Sequence, residues 1–172
     1  MRHIESIVLH HSAINSTTQQ GYIVKRVHMA RWGRGGYHYF IERSGLEHIQ
    51  VPIDEIAYHA GEHNLYSVGI CLAGDFRYQH PTAAQIAVMS RRVLALQKIY
   101  GIPNERVFLH RELRPTTCPI IDLRKLILYP KKPWADNRAK RRMERLKNWI
   151  KKSSGRVREM YVRQLDRLRR RI

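Results

Sequence analysis

The chain carries only two cysteines in 172 residues, Cys71 and Cys118. Two are too few for a disulfide framework, and Cys71 lies inside an apolar run. A stapled, core-poor scaffold is excluded, and synthesis in a reducing compartment fits. Long apolar runs are also missing. The opening Met1-Arg2-His3-Ile4-Glu5-Ser6 is charged and leads into Ile7-Val8-Leu9 and then a histidine, so no secretory signal is read there. Nothing approaches the ~18 consecutive apolar residues of a membrane span. Acidic residues are scarce as well: 14 Asp/Glu stand against 32 Lys/Arg, a formal charge of +18.

That charge is unevenly placed. Residues 131–172 hold 17 Lys/Arg and 4 Asp/Glu, a net of +13, which leaves +5 for residues 1–130. The shift falls at Tyr129-Pro130-Lys131-Lys132-Pro133. It divides a domain at 1–130, long enough to fold alone, from a basic tail at 131–172. In the tail Ala139, Met143, Leu146 and Ile150 recur at helical spacing. After Ser153-Ser154-Gly155 the pattern resumes with Val157, Met160, Tyr161, Leu165 and Leu168. Two basic amphipathic helices are predicted. Their cations, among them Lys140, Arg141, Arg142, Arg145, Lys151, Lys152, Arg169 and Arg170, call for a polyanionic partner: an envelope surface of lipopolysaccharide or anionic lipid, or nucleic acid. Trp149 and Tyr161 stand too far apart for a regular base-stacking platform.

Within the first 130 residues, Ile4 to Leu9 reads as a short buried strand ending at His10, and a helix of about three turns follows from Tyr22 to Trp32. Tyr37 to Ile41 and Leu46 to Val51 form a hairpin about Arg43-Ser44-Gly45. Tyr58 to Asn64 is a polar, histidine-rich loop. Ser67 to Gly74 is apolar throughout, as a strand buried on both faces would be. Thr82 to Tyr100, closed by Gly101, is the strongest helix. Arg106 to Leu109 is a last strand delivering His110, and Asp122 to Leu128 a closing helix. The order β-α-β-β-β-α-β-α implies an α/β fold, a mixed sheet flanked by helices.

Two strands that end in histidine are the feature from which a site can be built. His10 and His11 leave their strand on opposite faces, so one of them alone can face a common point. His110 and Cys118 follow the last strand, separated by a loop broken at Pro115. A His-x7-Cys spacing is weak by itself and, taken alone, favours an ordinary loop cysteine at Cys118. Imidazole and thiolate are nevertheless the donors zinc prefers, and three protein ligands leave it an open fourth position, the catalytic arrangement.

The segments Leu9-His10-His11-Ser12-Ala13, Gly36-Tyr37-His38-Tyr39-Phe40-Ile41, His59-Ala60, Ser67 to Gly74 and His110 to Pro119 resemble the zinc-dependent N-acetylmuramoyl-L-alanine amidases. This type 2 superfamily includes animal peptidoglycan-recognition proteins, and within it the chain looks most like small phage endolysins of the lysozyme-named amidase type. The resemblance covers residues 4–128 in motif order and leaves out the tail. It implies Zn²⁺ bound by His10, His110 and Cys118, with Tyr37 as the catalytic tyrosine. The position two before the metal cysteine is lysine in the phage enzymes and threonine in active recognition proteins, and here it is Thr116. The implied reaction is hydrolysis of the amide between N-acetylmuramic acid and L-alanine of peptidoglycan. The implied setting is a lysis enzyme made in the host cytoplasm and acting on the cell wall after release. A monomer is expected. His59, His63 and Asn64 either line the substrate groove or belong to a solvated loop. His38 is expected to be structural and Cys71 a core residue, while Glu112 either orients a ligand histidine or pairs with Arg111 or Arg114, the pairing being favoured. The competing classes are a catalytically idle peptidoglycan binder and a regulatory protein that contacts nucleic acid or RNA polymerase.

Overall fold

The computed structural model describes residues 2–15, 20–128, 144–148, 150–152, 154–155, 159–160 and 162–163. The chain divides into two units, Met1–Tyr129 and Pro130–Ile172. Among its described residues the first holds five strands, β1 (Ser6–His11), β2 (Tyr39–Ile41), β3 (Glu47–Ile49), β4 (Ser67–Leu72) and β5 (Val107–Leu109), and four α-helices, α1 (Gln20–Trp32), α2 (Ala83–Tyr100), α3 (His110–Leu113) and α4 (Leu123–Ile127). The mixed sheet runs β3-β2-β4-β1-β5. β1 pairs in parallel with both β4 and β5, β2 pairs in parallel with β4, and β3 is the antiparallel edge strand.

Every residue of β1 and of β4 is buried, which explains why β4 reads as an unbroken apolar run. Alternation along the strands sorts side chains onto two faces. Ile7, Leu9, Ile41, Ile70 and Leu72 pack with Met89, Val93 and Leu96 of α2 in the larger core, each such aliphatic side chain stabilising by about 2 kcal/mol. Phe40, Cys71 and Ala73 face the other way and meet Val24 of α1, with Tyr37 against them; Cys71 is a core residue.

The ends of α2 follow its sequence. Thr82 and Gln85 form a reciprocal capping box, and Gly101 closes the helix at φ 67°, a conformation only glycine takes without cost. The Gln85 carboxamide then donates to Ile41 O at 3.2 Å and Ala73 O at 2.8 Å, pinning the helix to the ends of two strands.

α1 is fixed differently. Among its residues Gln20, Gly21 and Val24 are buried, while Tyr22, Ile23, Val27, Met29 and Trp32 are exposed. The helix therefore turns much of its apolar content outward. Its first amides donate to the buried Glu42 carboxylate, Gln20 N at 3.2 Å and Gly21 N at 2.7 Å, an anion on the positive end of the helix. Gln50 Nε2 donates 2.8 Å to Gly21 O. Polar anchoring of the first turn, not an apolar stripe, sets how this helix lies.

Two sequence expectations are corrected in detail. The second strand begins at Tyr39, and Tyr37 belongs to the segment before it. A short helix, α3, begins directly at His110. In the second unit, residues 144–148 and 150–152 are helical, with Arg145, Lys151 and Lys152 exposed. Lys140, Arg141, Arg142, Arg169 and Arg170 lie outside the described residues. No helix among the described residues is long and apolar enough to cross a membrane.

Candidate metal centre

Strand register brings the candidate donors together. Leu9 stands opposite Leu109 across the parallel pair β1 and β5, so the next residue in each segment, His10 still on β1 and His110 opening α3, emerges at the same carboxyl end of the sheet. Their rings lie 4.4 Å apart between centroids. Ligands gather at the carboxyl ends of parallel strands in open α/β sheets for this geometric reason. His10 is fully buried on the β1 face toward Tyr37, while His11 points to the opposite face, where its Nδ1 accepts the Phe76 amide at 3.2 Å.

Cys118 arrives on the loop after α3. Its carbonyl accepts the Arg111 amide at 2.8 Å, and its sulfur accepts the His11 amide at 3.4 Å. Sγ lies 3.9 Å from His10 Nδ1, and donor atoms of His10, His110 and Cys118 all lie within 4.8 Å of one another. Two such ligands on a tetrahedral zinc, at about 2.0 and 2.3 Å from it, would stand about 3.5 Å apart. Two imidazoles and one sulfur therefore fit the ion in chemistry, and the 3.9 Å between Sγ and Nδ1 stands a few tenths of an ångström wider than that spacing. Burial, followed by the neighbouring His59 and His110, drives the His10 pKa well below its ordinary value. His110 is lowered to about 4, by burial first and Arg114 second, so both rings are neutral near pH 7. Burial pushes the Cys118 thiol up to about 11, so a bound cation would have to draw off its proton.

Tyr37 is wedged between His10 and His28, ring centroids 5.1 and 5.3 Å away. Burial, then Cys71 and Cys118, raise its hydroxyl well above the ordinary value, which leaves it a proton donor. Thr116 is exposed, and its Oγ1 accepts the Cys118 amide at 3.3 Å, keeping its own proton available.

The histidine-rich loop is only partly solvated. His59 is 9% exposed, and its Nδ1 lies 3.1 Å from His10 Nε2. His63 and Asn64 are half-buried. Asn64 Oδ1 accepts the amides of His59 and Ala60 at 3.0 and 2.7 Å, so that oxygen serves the loop's own frame. His38 is fully buried, with Nδ1 accepting the Gly69 amide at 3.0 Å and Nε2 3.1 Å from Glu55 O. Glu112 corrects the expectation of a local partner. It accepts the Leu109 amide at 2.7 Å and pairs with Arg124 at 2.5 Å, because helical geometry turns it back over its own N-terminus and toward α4. Ser67 and Gly69, both on β4, also touch this region, and nothing in their local sequence singles them out.

The chain is similar to several known proteins. The chain is 29% identical over 128 residues to the endolysin of Enterobacteria phage T3, covering 70% of this chain and 83% of that protein. It is 32% identical over 89 residues to peptidoglycan-recognition protein LB of Drosophila melanogaster, covering 51% of this chain and 38% of that protein. The Ph2119 endolysin from a Thermus scotoductus bacteriophage superposes with a TM-score of 0.66 at 27% identity, over 77% of this chain and 88% of that one. The family model of the N-acetylmuramoyl-L-alanine amidases (Amidase_2) matches residues 1–120, a span that takes in all five strands and every donor of the cluster, and the chain belongs to that family.

Proposed function

We propose that the chain is a zinc-dependent peptidoglycan amidase of the phage endolysin kind, cutting the amide between the lactyl group of N-acetylmuramic acid and L-alanine of the stem peptide. The observation that carries this reading is the convergence of His10, His110 and Cys118 donor atoms within 4.8 Å at one end of the sheet. Bound there, Zn²⁺ would supply a Lewis acid for the scissile carbonyl and acidify a water toward a pKa of about 7.

The chain's own groups do the rest. His110 and Cys118 are partly exposed, so substrate reaches the centre from their side while His10 closes its floor. The Tyr37 hydroxyl, protonated at neutral pH, donates to the oxygen on which charge develops, and preorganised donors of that kind contribute roughly 3 kcal/mol to the barrier. Thr116 offers a second hydroxyl donor in place of a lysine. The His11 amide supports the sulfur at 3.4 Å, as hydrogen bonds to an anion do. The same residues speak against a catalytically idle binder. The tail's net +13 favours docking on an anionic envelope, with nucleic acid as the second reading.

Digestion of purified peptidoglycan followed by mass spectrometry tests the proposal. New L-alanine amino termini should be released, the activity should stop with chelator, and Zn²⁺ should restore it. Chelator-resistant cleavage, or new termini at any other bond, would overturn it.

A further inference from the structure

We infer that His59 is a positioning residue that fixes which nitrogen of His10 faces the metal, through a directed chain of hydrogen bonds running from the His63 carbonyl through Ser67 and His59 to His10. The inference rests on the zinc-amidase reading above.

The direction follows from where the protons can be. Ser67 Oγ lies 2.6 Å from His63 O. A carbonyl only accepts, so the single hydroxyl proton of Ser67 is committed there. Ser67 then faces His59 Nε2, 3.4 Å away, with a lone pair, and Nε2 is the nitrogen that carries the ring proton. In a neutral imidazole the other nitrogen is then an acceptor, and burial favours the neutral ring. That acceptor, Nδ1, meets His10 Nε2 at 3.1 Å, with the two rings edge to face at 89°. His10 must therefore donate from Nε2. Its remaining lone pair sits on Nδ1, the atom 3.9 Å from Cys118 Sγ. The reverse polarity would require Ser67 to give up a 2.6 Å bond to a carbonyl for a 3.4 Å contact to a ring nitrogen, exchanging the stronger interaction for the weaker.

The place of the His59 ring is built into β4. A Cβ at Gly69 would stand 2.7 Å from Cγ and Cδ2 of His59 and 3.0 Å from its Nδ1, so the ring lies flat on backbone that has room for a hydrogen and nothing larger. No positive φ is recorded at Gly69; contact with the ring is what demands glycine there. From the other side, Asn64 Oδ1 holds the His59 amide at 3.0 Å. The ring is thus set by a floor and a tether, neither of which is a metal ligand.

The test uses the full chain loaded with Zn²⁺, and reads zinc affinity by competition with a chromogenic chelator. His59→Phe keeps a ring but offers no acceptor, and its zinc affinity should fall roughly 10- to 100-fold. His59→Asn returns an oxygen near the place of Nδ1 and should recover most of that loss. Gly69→Ala, which displaces the ring and leaves its chemistry intact, should weaken zinc as well. Long-range proton–nitrogen correlation spectra of the wild type should show His10 protonated at Nε2, both with and without zinc. An Nδ1-protonated His10, or zinc affinity within twofold of wild type in both His59→Phe and Gly69→Ala, overturns the inference. Should His59→Phe not fold, the wild-type spectrum and His59→Asn decide. A wild type that binds no zinc at all defeats the amidase reading itself, so the two failures are distinct.

Discussion

Leu9 and Leu109 face each other across the parallel strands β1 and β5, and each is followed in the chain by a histidine. The pairing makes His10 and His110 neighbours and turns His11 away, into contact with the Phe76 amide. Replacing His10 by alanine should therefore abolish stoichiometric zinc. His11→Ala should retain it and lose about 1 kcal/mol of stability from the vacated hydrogen bond. Metal analysis of the two purified variants decides, and zinc loss in His11→Ala alone would contradict the assignment.

Tyr37→Phe should leave its ring packed between His10 and His28 while deleting the hydroxyl. A fall in kcat on the order of 10²- to 10³-fold is expected, with zinc content and melting temperature close to wild type. An unchanged kcat would remove the hydroxyl from the chemistry.

Glu42→Gln takes the charge from the carboxylate that accepts the first amides of α1 at 3.2 and 2.7 Å. Charge-assisted bonds of this kind are worth about 1.5–3 kcal/mol, and urea denaturation should show a loss near the lower end of that range, since the amide oxygen still accepts one bond. No change in the midpoint would mean that α1 is held by something else.

Acid should destabilise the fold through His38. Burial first, then Arg2, lowers its pKa from 6.5 to about 4, so between those values the unfolded chain binds a proton that the folded chain refuses. The stabilisation is complete above pH 6.5 and declines as pH falls toward 4, by at most about 3 kcal/mol. Buried His10 and His59 act in the same direction. Urea midpoints of metal-free protein across this range test the slope, part of which should vanish in His38→Gln; a flat wild-type profile would refute it.

A chain ending at residue 130 should keep its fold and its action on isolated peptidoglycan, since residues Met1–Tyr129 form one unit. Binding to anionic vesicles, expected of the full chain and strongest at low salt, should disappear. If hydrolysis disappears with the tail, the tail contributes to the site. If vesicle binding persists without it, the cations of the first unit suffice.

Several of these relationships were legible in the sequence. Continuous apolarity marked β4, Thr82 and Gly101 bracketed α2, and two strands leading into histidines marked where a site could form, with the choice of His10 over His11 resting on the family resemblance. What the sequence hid is tertiary. Nothing local says that β1 lies between β4 and β5, and that placement makes the histidines neighbours. α1 was readable as a helix, but its orientation depends on Glu42, twenty-two residues after Gln20. Glu112 looked ready for a nearby arginine until α4 supplied Arg124. His59 read as a loop residue because its partners, His10, Ser67 and Gly69, come from other strands.

The anchoring of α1 by its first turn separates what holds the helix from what it shows to solvent. Tyr22, Ile23, Val27 and Met29 are exposed, so replacing them leaves the Glu42 and Gln50 anchors untouched. That outer face can be re-engineered without disturbing the architecture beneath it.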